Sequence, residues 1–320
     1  MKRESGMQDD KVSLVEMGPR DGLQNETSTL PLVQRLELVQ RLAESGLQRI
    51  EVGAFVSPKK VPQMADSAEL FKVLPRKGPT RYGALVPNLQ GLQAAIAARA
   101  DEIGLFTACS DGFTRANIGI GVEESLIRFA PLVLEARRLG IKVRGYLSTV
   151  IACPFDGPTR PKRVAAMAER LLDLGCHEIS LGDTIGVGTP GTVAPMLDAV
   201  LHEIPAGRLA VHFHDTYGQG LANLLPALER GIRTIDCSVA GLGGCPYAPG
   251  ASGNVASEEV VYLLHGLGMS TGVDLDQLAA TGQWVSELLG RPNGSRVGQA
   301  LHANAMRLRA ALSTEAHHDL

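Results

Sequence analysis

The sequence predicts an eight-stranded (β/α)8 TIM barrel, on three observations. Eight short apolar, β-rich runs recur along the chain, helix-like stretches lie between them, and glycine stands just past the end of several of those stretches. The runs are residues 12–17, 49–55, 80–86, 101–107, 142–150, 177–181, 208–213 and 234–240. Helical patterning covers, among others, residues 31–45, 123–139, 161–174 and 218–229. Four of these segments end at Gly46, Gly140, Gly175 and Gly231, each just before the next strand. Glycine there relieves the left-handed conformation that commonly closes a helix. Strand and helix in strict alternation imply a parallel sheet with right-handed crossovers. Eight such units suggest closure into a barrel, with an open doubly wound sheet as the alternative architecture.

The length of 320 residues fits one barrel of about 250 residues with extensions. The barrel is expected over about residues 12–256 and a helical extension over about 257–312. That extension carries helix-like segments at 257–267, 275–288 and 296–312. Polar tails are expected at 1–11 and 313–320. No linker or second domain is visible.

Composition narrows the functional classes. A hydrophobic fraction of 44% supports a packed core, and 36 glycines with 4% aromatics suit Val/Ile/Leu-rich buried strands joined by turns. The net charge is −3 and basic residues form no long run, so the chain lacks the electrostatic footprint of a nucleic-acid binder. Five cysteines, an odd number without paired spacing, argue against a disulfide framework and for a reducing compartment. The N-terminus is polar, without the apolar core of a signal peptide, and no apolar stretch is long enough to span a membrane. Cytoplasmic residence is the expectation.

In a barrel of this kind, chemistry is built on the loops that follow the strands. The first strand runs into Gly18-Pro19-Arg20-Asp21-Gly22-Leu23-Gln24-Asn25-Glu26, a dense set of polar side chains directly after a buried run. The second strand carries Glu51, and the sixth ends in Ser180-Leu181-Gly182-Asp183-Thr184. The seventh ends in Val211-His212-Phe213-His214-Asp215. Strand periodicity puts His212 and His214 on one face, about 7 Å apart along the strand, and turns Asp215 away. Two imidazoles so placed suit one metal ion, although a lone pair of core histidines reads the same way.

The eighth strand leads into residues 241–254, with five glycines in fourteen positions, and Cys245 within them. Such a loop has the backbone freedom to close over a substrate. Asn254 stands where it re-enters structure. Arg20, Asp21, Glu51, Asp183, His212, His214, Cys245 and Asn254 therefore share one rim, a convergence that chance explains poorly. A carboxylate, two imidazoles and an amide make a mixed oxygen and nitrogen donor set. It suits octahedral Mg²⁺ or Mn²⁺ with open positions, imidazole favouring Mn²⁺, and it is unlike the closed sulfur-rich sets of structural zinc.

Five segments carry a resemblance. They are residues 18–26, Ser57-Pro58-Lys59 with Val61-Pro62-Gln63-Met64, Ser180 to Pro190, His212-Phe213-His214-Asp215-Thr216-Tyr217-Gly218-Gln219, and Gly241-Leu242-Gly243-Gly244-Cys245-Pro246-Tyr247. Together they resemble the 3-hydroxy-3-methylglutaryl-CoA lyase family, over about residues 12–297. The resemblance implies a retro-Claisen cleavage of the acyl-CoA to acetoacetate and acetyl-CoA. It implies a divalent metal on Asp21, His212, His214 and Asn254. Arg20 would stabilise the enolate, Cys245 would transfer a proton, Glu51 and Asp183 would orient these groups or relay protons, and Gln24 would help position substrate. CoA enters as part of the substrate, and a homodimer is the implied assembly, built on the helices after Asn254. The chain departs from the family at Lys60, usually tryptophan, and at Thr27, often lysine. It departs again at Ser110-Asp111-Gly112 and at Asn117-Ile118-Gly119-Ile120. These differences bear on the acyl group rather than on the reaction type. Citramalyl-CoA and longer 3-hydroxy-3-acylglutaryl-CoA esters are the alternative substrates. An acetyl-CoA-condensing synthase and a non-catalytic barrel are the alternatives from other classes.

Overall fold

The computed structural model describes residues 10–244 and 253–318. Its central feature is a closed barrel of eight strands. They are β1 (Ser13–Glu16), β2 (Arg49–Ala54), β3 (Arg81–Leu85), β4 (Glu102–Ala108), β5 (Lys142–Ser148), β6 (Glu178–Asp183), β7 (Leu209–Phe213) and β8 (Thr234–Cys237). All neighbours are parallel, and β8 closes on β1 with Ser13 opposite Thr234 and Glu16 opposite Cys237. A two-residue antiparallel hairpin, Ala152–Cys153 with Gly157–Pro158, follows β5.

Around the barrel run α1 (Leu32–Glu44), α2 (Ser67–Val73), α3 (Leu89–Ala97), α4 (Asp111–Ile118), α5 (Val122–Arg138), α6 (Pro161–Leu174), α7 (Pro190–Glu203) and α8 (Gly220–Glu229). Then come α9 (Ser257–Gly266), α10 (Leu275–Leu289) and α11 (Arg296–His318). The open-sheet alternative is excluded by the β8–β1 ladder. The last helix continues to His318, into the segment expected as a polar tail. No glycine or proline follows Gly298, so nothing in the sequence stops it.

The four glycines read as helix closures sit at φ +99° (Gly46), +72° (Gly140), +117° (Gly175) and +82° (Gly231). At Gly46 close approach adds to conformation: a Cβ there would lie 2.2 Å from the Gly272 carbonyl oxygen. That contact docks the end of α1 under the segment leading into α10, and α10 packs on α1 and α11.

Strand alternation sorts two environments. Val143, Leu147, Ile179, Leu181, Leu209 and Val211 are buried in the apolar layer between barrel and helices. The intervening Arg144, Tyr146, Ser180 and His212 hydrogen-bond inside the barrel to Glu51 and Asp236, so the interior is polar. Charged groups inside a barrel cost heavily unless paired. Here Arg144 forks onto Asp236 (2.6 and 2.9 Å) and also binds Glu178 (2.6 Å). Arg49 joins Glu178 (2.9 Å) to Glu102 (3.1 Å). Among the described residues, no helix is long and apolar enough to cross a membrane.

Candidate active site

The loop after β1 is a single π-helical turn, Gly18–Gly22, closed by the Gly22 amide on the Met17 carbonyl (3.1 Å). Such turns re-aim side chains and recur at functional sites. Glu16 anchors it, accepting from the Gly18 amide (2.7 Å), the Val239 amide (2.9 Å) and the Ser257 hydroxyl (2.5 Å). Burial pushes Glu16 up to about 7, against the pull of those donors. The exits of β1 and β8 are thereby tied together.

The turn sets Arg20 between two carboxylates. Its Nη1 donates to Asp21 Oδ1 (2.7 Å) and its Nη2 to Glu51 Oε2 (3.0 Å). Tyr146 donates its hydroxyl to the same Glu51 oxygen (2.8 Å) and lies under the guanidinium, 5.8 Å from ring centre to Cζ. Burial works against the Arg20 charge, but Glu51 and Asp21 outweigh it and hold its proton more tightly than usual. The Arg20 Nε is buried and has no hydrogen-bond partner.

His212 and His214 turn to one face of β7, with their Nε2 atoms 3.3 Å apart. Asp21 Oδ2 is 4.0 Å from His212 Nε2, and one donor atom from each of the three residues falls within 4.8 Å of the others. Burial, then the neighbouring His212, pulls His214 down to about 4, so it is neutral at pH 7. For Asp21, burial alone would raise the carboxyl, but Arg20 and the two histidines hold it below its ordinary range.

Asn254 reaches this cluster through the backbone. It bridges antiparallel to His214, flanked by the Asp215 amide on Gly253 (3.0 Å) and the Val255 amide on Phe213 (3.1 Å). Its Nδ2 donates to Asp21 Oδ2 (2.8 Å) and to the Leu242 carbonyl (3.2 Å), leaving Oδ1 buried without a partner. The donor set thus presents a carboxylate, two ring nitrogens facing each other and an unpartnered amide oxygen. It fits a hard or borderline divalent cation.

A cavity of about 510 Å³ opens at the C-terminal ends of the strands, and Arg20, Asp21, Gln24, His212, His214 and Gly244 are among its lining. Leu85, Phe106, Phe113, Ile118 and Phe129 add apolar groups to the lining. Lys60, Asn117 and Arg128 add polar groups. Cys245 lies outside the described residues, one position beyond Gly244.

Asp183 is placed differently from Glu51. Its Oδ2 accepts from the Gly188 amide (2.8 Å), and it hydrogen-bonds neither to Arg20 nor to a histidine. Burial raises it to about 6, against the amides of residues 186–188. It therefore holds the turn after β6, whose Thr184 lines the cavity. Asp215 caps α8 through the Gly220 amide (2.7 Å), away from the histidines as alternation implied. Sequence reasoning passed over Tyr146, Arg144 and Asp236. The available signal was polar residues inside otherwise apolar strands, with Arg144 and Tyr146 spaced by two.

A profile described as HMGL-like matches residues 11–285. The mitochondrial hydroxymethylglutaryl-CoA lyase of Arabidopsis thaliana is 53% identical over 91% of this chain, which spans only 62% of that relative's length. A Pseudomonas aeruginosa protein named 3-hydroxy-3-isohexenylglutaryl-CoA/hydroxy-methylglutaryl-CoA lyase is 52% identical, covering 92% of this chain and 98% of its own. The crystal structure of hydroxymethylglutaryl-CoA lyase from Pseudomonas aeruginosa superposes with a TM-score of 0.90 at 52% identity, over 92% of this chain and 98% of that one.

Proposed function

The chain belongs to the HMGL-like family, and from that membership we propose that it is a carbon–carbon lyase cleaving 3-hydroxy-3-methylglutaryl-CoA to acetoacetate and acetyl-CoA. One observation carries the reading. Asp21, His212 and His214 gather beside Arg20 in the lining of a single cavity, Glu51 holds Arg20 from behind, and Asn254, whose Oδ1 is free, donates through Nδ2 to Asp21.

The reaction takes the proton from the tertiary hydroxyl and breaks the bond between C2 and C3. C3 becomes the ketone of acetoacetate, and the bonding pair passes to the thioester as an enolate. A divalent cation on Asp21, His212, His214 and Asn254, Mn²⁺ in preference to Mg²⁺, would polarise the substrate's hydroxyl and carboxylate oxygens and fix their position. Arg20, held by Glu51 and Asp21, is suited to the charge that develops on the thioester oxygen, because guanidinium stays ionised and presents several fixed donors. Glu51, braced by Tyr146, orients Arg20. Gln24 lines the approach and helps position the acyl group. Cys245 gives a proton to the acetyl carbon of the enolate, completing acetyl-CoA, and its thiolate is reprotonated from solvent, which takes up the proton lost by the hydroxyl. Asp183 keeps the β6 turn in place beside His214.

The apolar lining residues favour a second substrate, an ester with a longer group at C3. Leu85, Phe106, Phe113, Ile118 and Phe129 offer more apolar surface than a methyl needs. Product analysis over 3-hydroxy-3-methylglutaryl-CoA, citramalyl-CoA and a C3-extended analogue, with metal-stripped and Mn²⁺- or Mg²⁺-restored enzyme, tests both points. Cleavage of the methyl ester that disappears on chelation and returns with the cation is expected. Full activity after EDTA treatment would sink the metal assignment, and cleavage of the extended ester alone would replace the substrate.

Cytoplasmic residence belongs to the same proposal, in keeping with Cys109, Cys153, Cys176 and Cys237 as buried free thiols. So does a homodimer formed by the helices after Asn254. In its support, α11 leaves Met306 and Leu308 more than half exposed (51% and 62%) on a helix the barrel does not need. Light scattering at micromolar concentration is expected to give twice the 33.9 kDa chain mass, and a monomeric mass would end this assembly.

A further inference from the structure

The metal-site histidine His212 has a partner on its other face. Its Nδ1 lies 3.2 Å from Asp236 Oδ2, on the neighbouring strand β8. Asp236 is 1% exposed, and its two oxygens take everything around them. Oδ1 accepts from Arg144 Nη2 (2.6 Å), and Oδ2 accepts from Arg144 Nη1 (2.9 Å), Ser180 Oγ (2.7 Å) and the His212 ring.

A neutral imidazole carries one N–H and one lone pair. An ionised carboxylate only accepts, so the His212 proton must sit on Nδ1 to make this contact. The Nε2 lone pair is then left facing Asp21 and His214. Arg144 forks onto both Asp236 oxygens (2.6 and 2.9 Å) and Ser180 donates to one of them (2.7 Å), an arrangement that suits a carboxylate accepting at every contact. Arg144 is in turn balanced by Glu178 (2.6 Å), and Glu178 by Arg49 (2.9 Å). A line of alternating charges thus runs through the barrel interior and ends on the back of a metal-site imidazole.

Stability does not explain this line well, because buried ion pairs are commonly no better than apolar side chains of the same volume. Orientation of a metal-binding histidine by a carboxylate on its second nitrogen does explain it. We infer that Asp236 is a positioning residue, with Arg144 and Ser180 fixing its carboxylate, and that it holds His212 in the tautomer whose Nε2 is free to take a divalent cation. The inference rests on the metal-dependent lyase reading above.

Asp236→Asn is near in size but brings an NH₂ group that donates to Nδ1 and drives the ring proton to Nε2. Isothermal titration of Mn²⁺ into stripped protein, without substrate, reads the consequence apart from activity. The variant is expected to bind Mn²⁺ ~10–100-fold more weakly than the parent. Equal affinities, or a lowered melting temperature with affinity intact, overturn the assignment and leave Asp236 a structural ion-pair partner. A second measurement needs no variant. Nitrogen NMR of the metal-free parent, with imidazole neutral, is expected to place the His212 proton on Nδ1, and a proton on Nε2 overturns the inference. If the parent takes up no Mn²⁺ while its His212 proton sits on Nδ1, the metal reading has failed, and the inference with it. Loss of Mn²⁺ binding in Asp236→Asn alone supports both.

Discussion

Replacing Arg20 with lysine is expected to lower kcat by at least ~10²-fold while changing KM little, on the scale of losing one preorganised oxyanion donor. Charge survives the substitution but the fork does not. The arginine spans Asp21 and Glu51 with separate nitrogens, 2.7 and 3.0 Å away, and its Nε remains buried and unpartnered beside the cavity. A lysine ammonium is a compact point charge on a flexible stem, so it reaches one carboxylate or the other and cannot present a second donor in fixed geometry. The enolate oxygen exists only after the C2–C3 bond has begun to break. A donor aimed there acts on the transition state and leaves ground-state binding alone. Steady-state kinetics separate the possibilities. A loss confined to KM would make Arg20 a substrate-binding group and remove it from the chemistry.

Much of this arrangement was legible in the sequence because it lies at strand ends. The runs at 49–55 and 208–213 become β2 and β7, each within a residue or so at either end, since strand–helix alternation bounds them and, at β2, the closing Gly46 marks the start. Residues 18–26, the H-x-H at His212 and His214, and Asn254 could be placed on one rim without coordinates, because barrels gather such positions. The interior network was not legible. Arg144 and Asp236 are 92 residues apart, and nothing in either strand's local pattern pairs them. Only closure of the barrel shows that they meet. Asp183 illustrates a shared signal. It occupies a strand end as the rim residues do, yet the turn at residues 186–188 presents amides that need an acceptor, and its carboxylate serves them. The extent of α11 was missed because polarity was read as a tail, where the absence of glycine and proline was the better guide.

Cys245→Ser is expected to lower kcat by ~10²–10⁴-fold, the usual worth of a positioned acid or base, and to leave Mn²⁺ affinity unchanged. The residue lies outside the described residues, but both anchors of its loop are placed. Gly244, the residue before it, lines the cavity. Gly243, at φ +137°, and Gly253, at φ +92°, press together: a Cβ on Gly253 would lie 2.6 Å from the Gly243 carbonyl carbon. A Cβ on Gly243 would lie 2.6 Å from Asn254 Nδ2. The loop therefore leaves and returns at one neck, beside the proposed metal-site asparagine, and Cys245 is a single Cα step of about 3.8 Å beyond Gly244. A thiol ionises near neutral pH and can pass a proton to carbon, whereas a serine hydroxyl of nearly the same size is a far poorer acid. The two side chains are close enough in volume that metal binding should not register the change. Alkylation of the parent enzyme is expected to inactivate it, and a bound substrate analogue should protect the thiol. Normal turnover by Cys245→Ser would instead remove the thiol from the chemistry, and the proton for the acetyl carbon would have to come from another group.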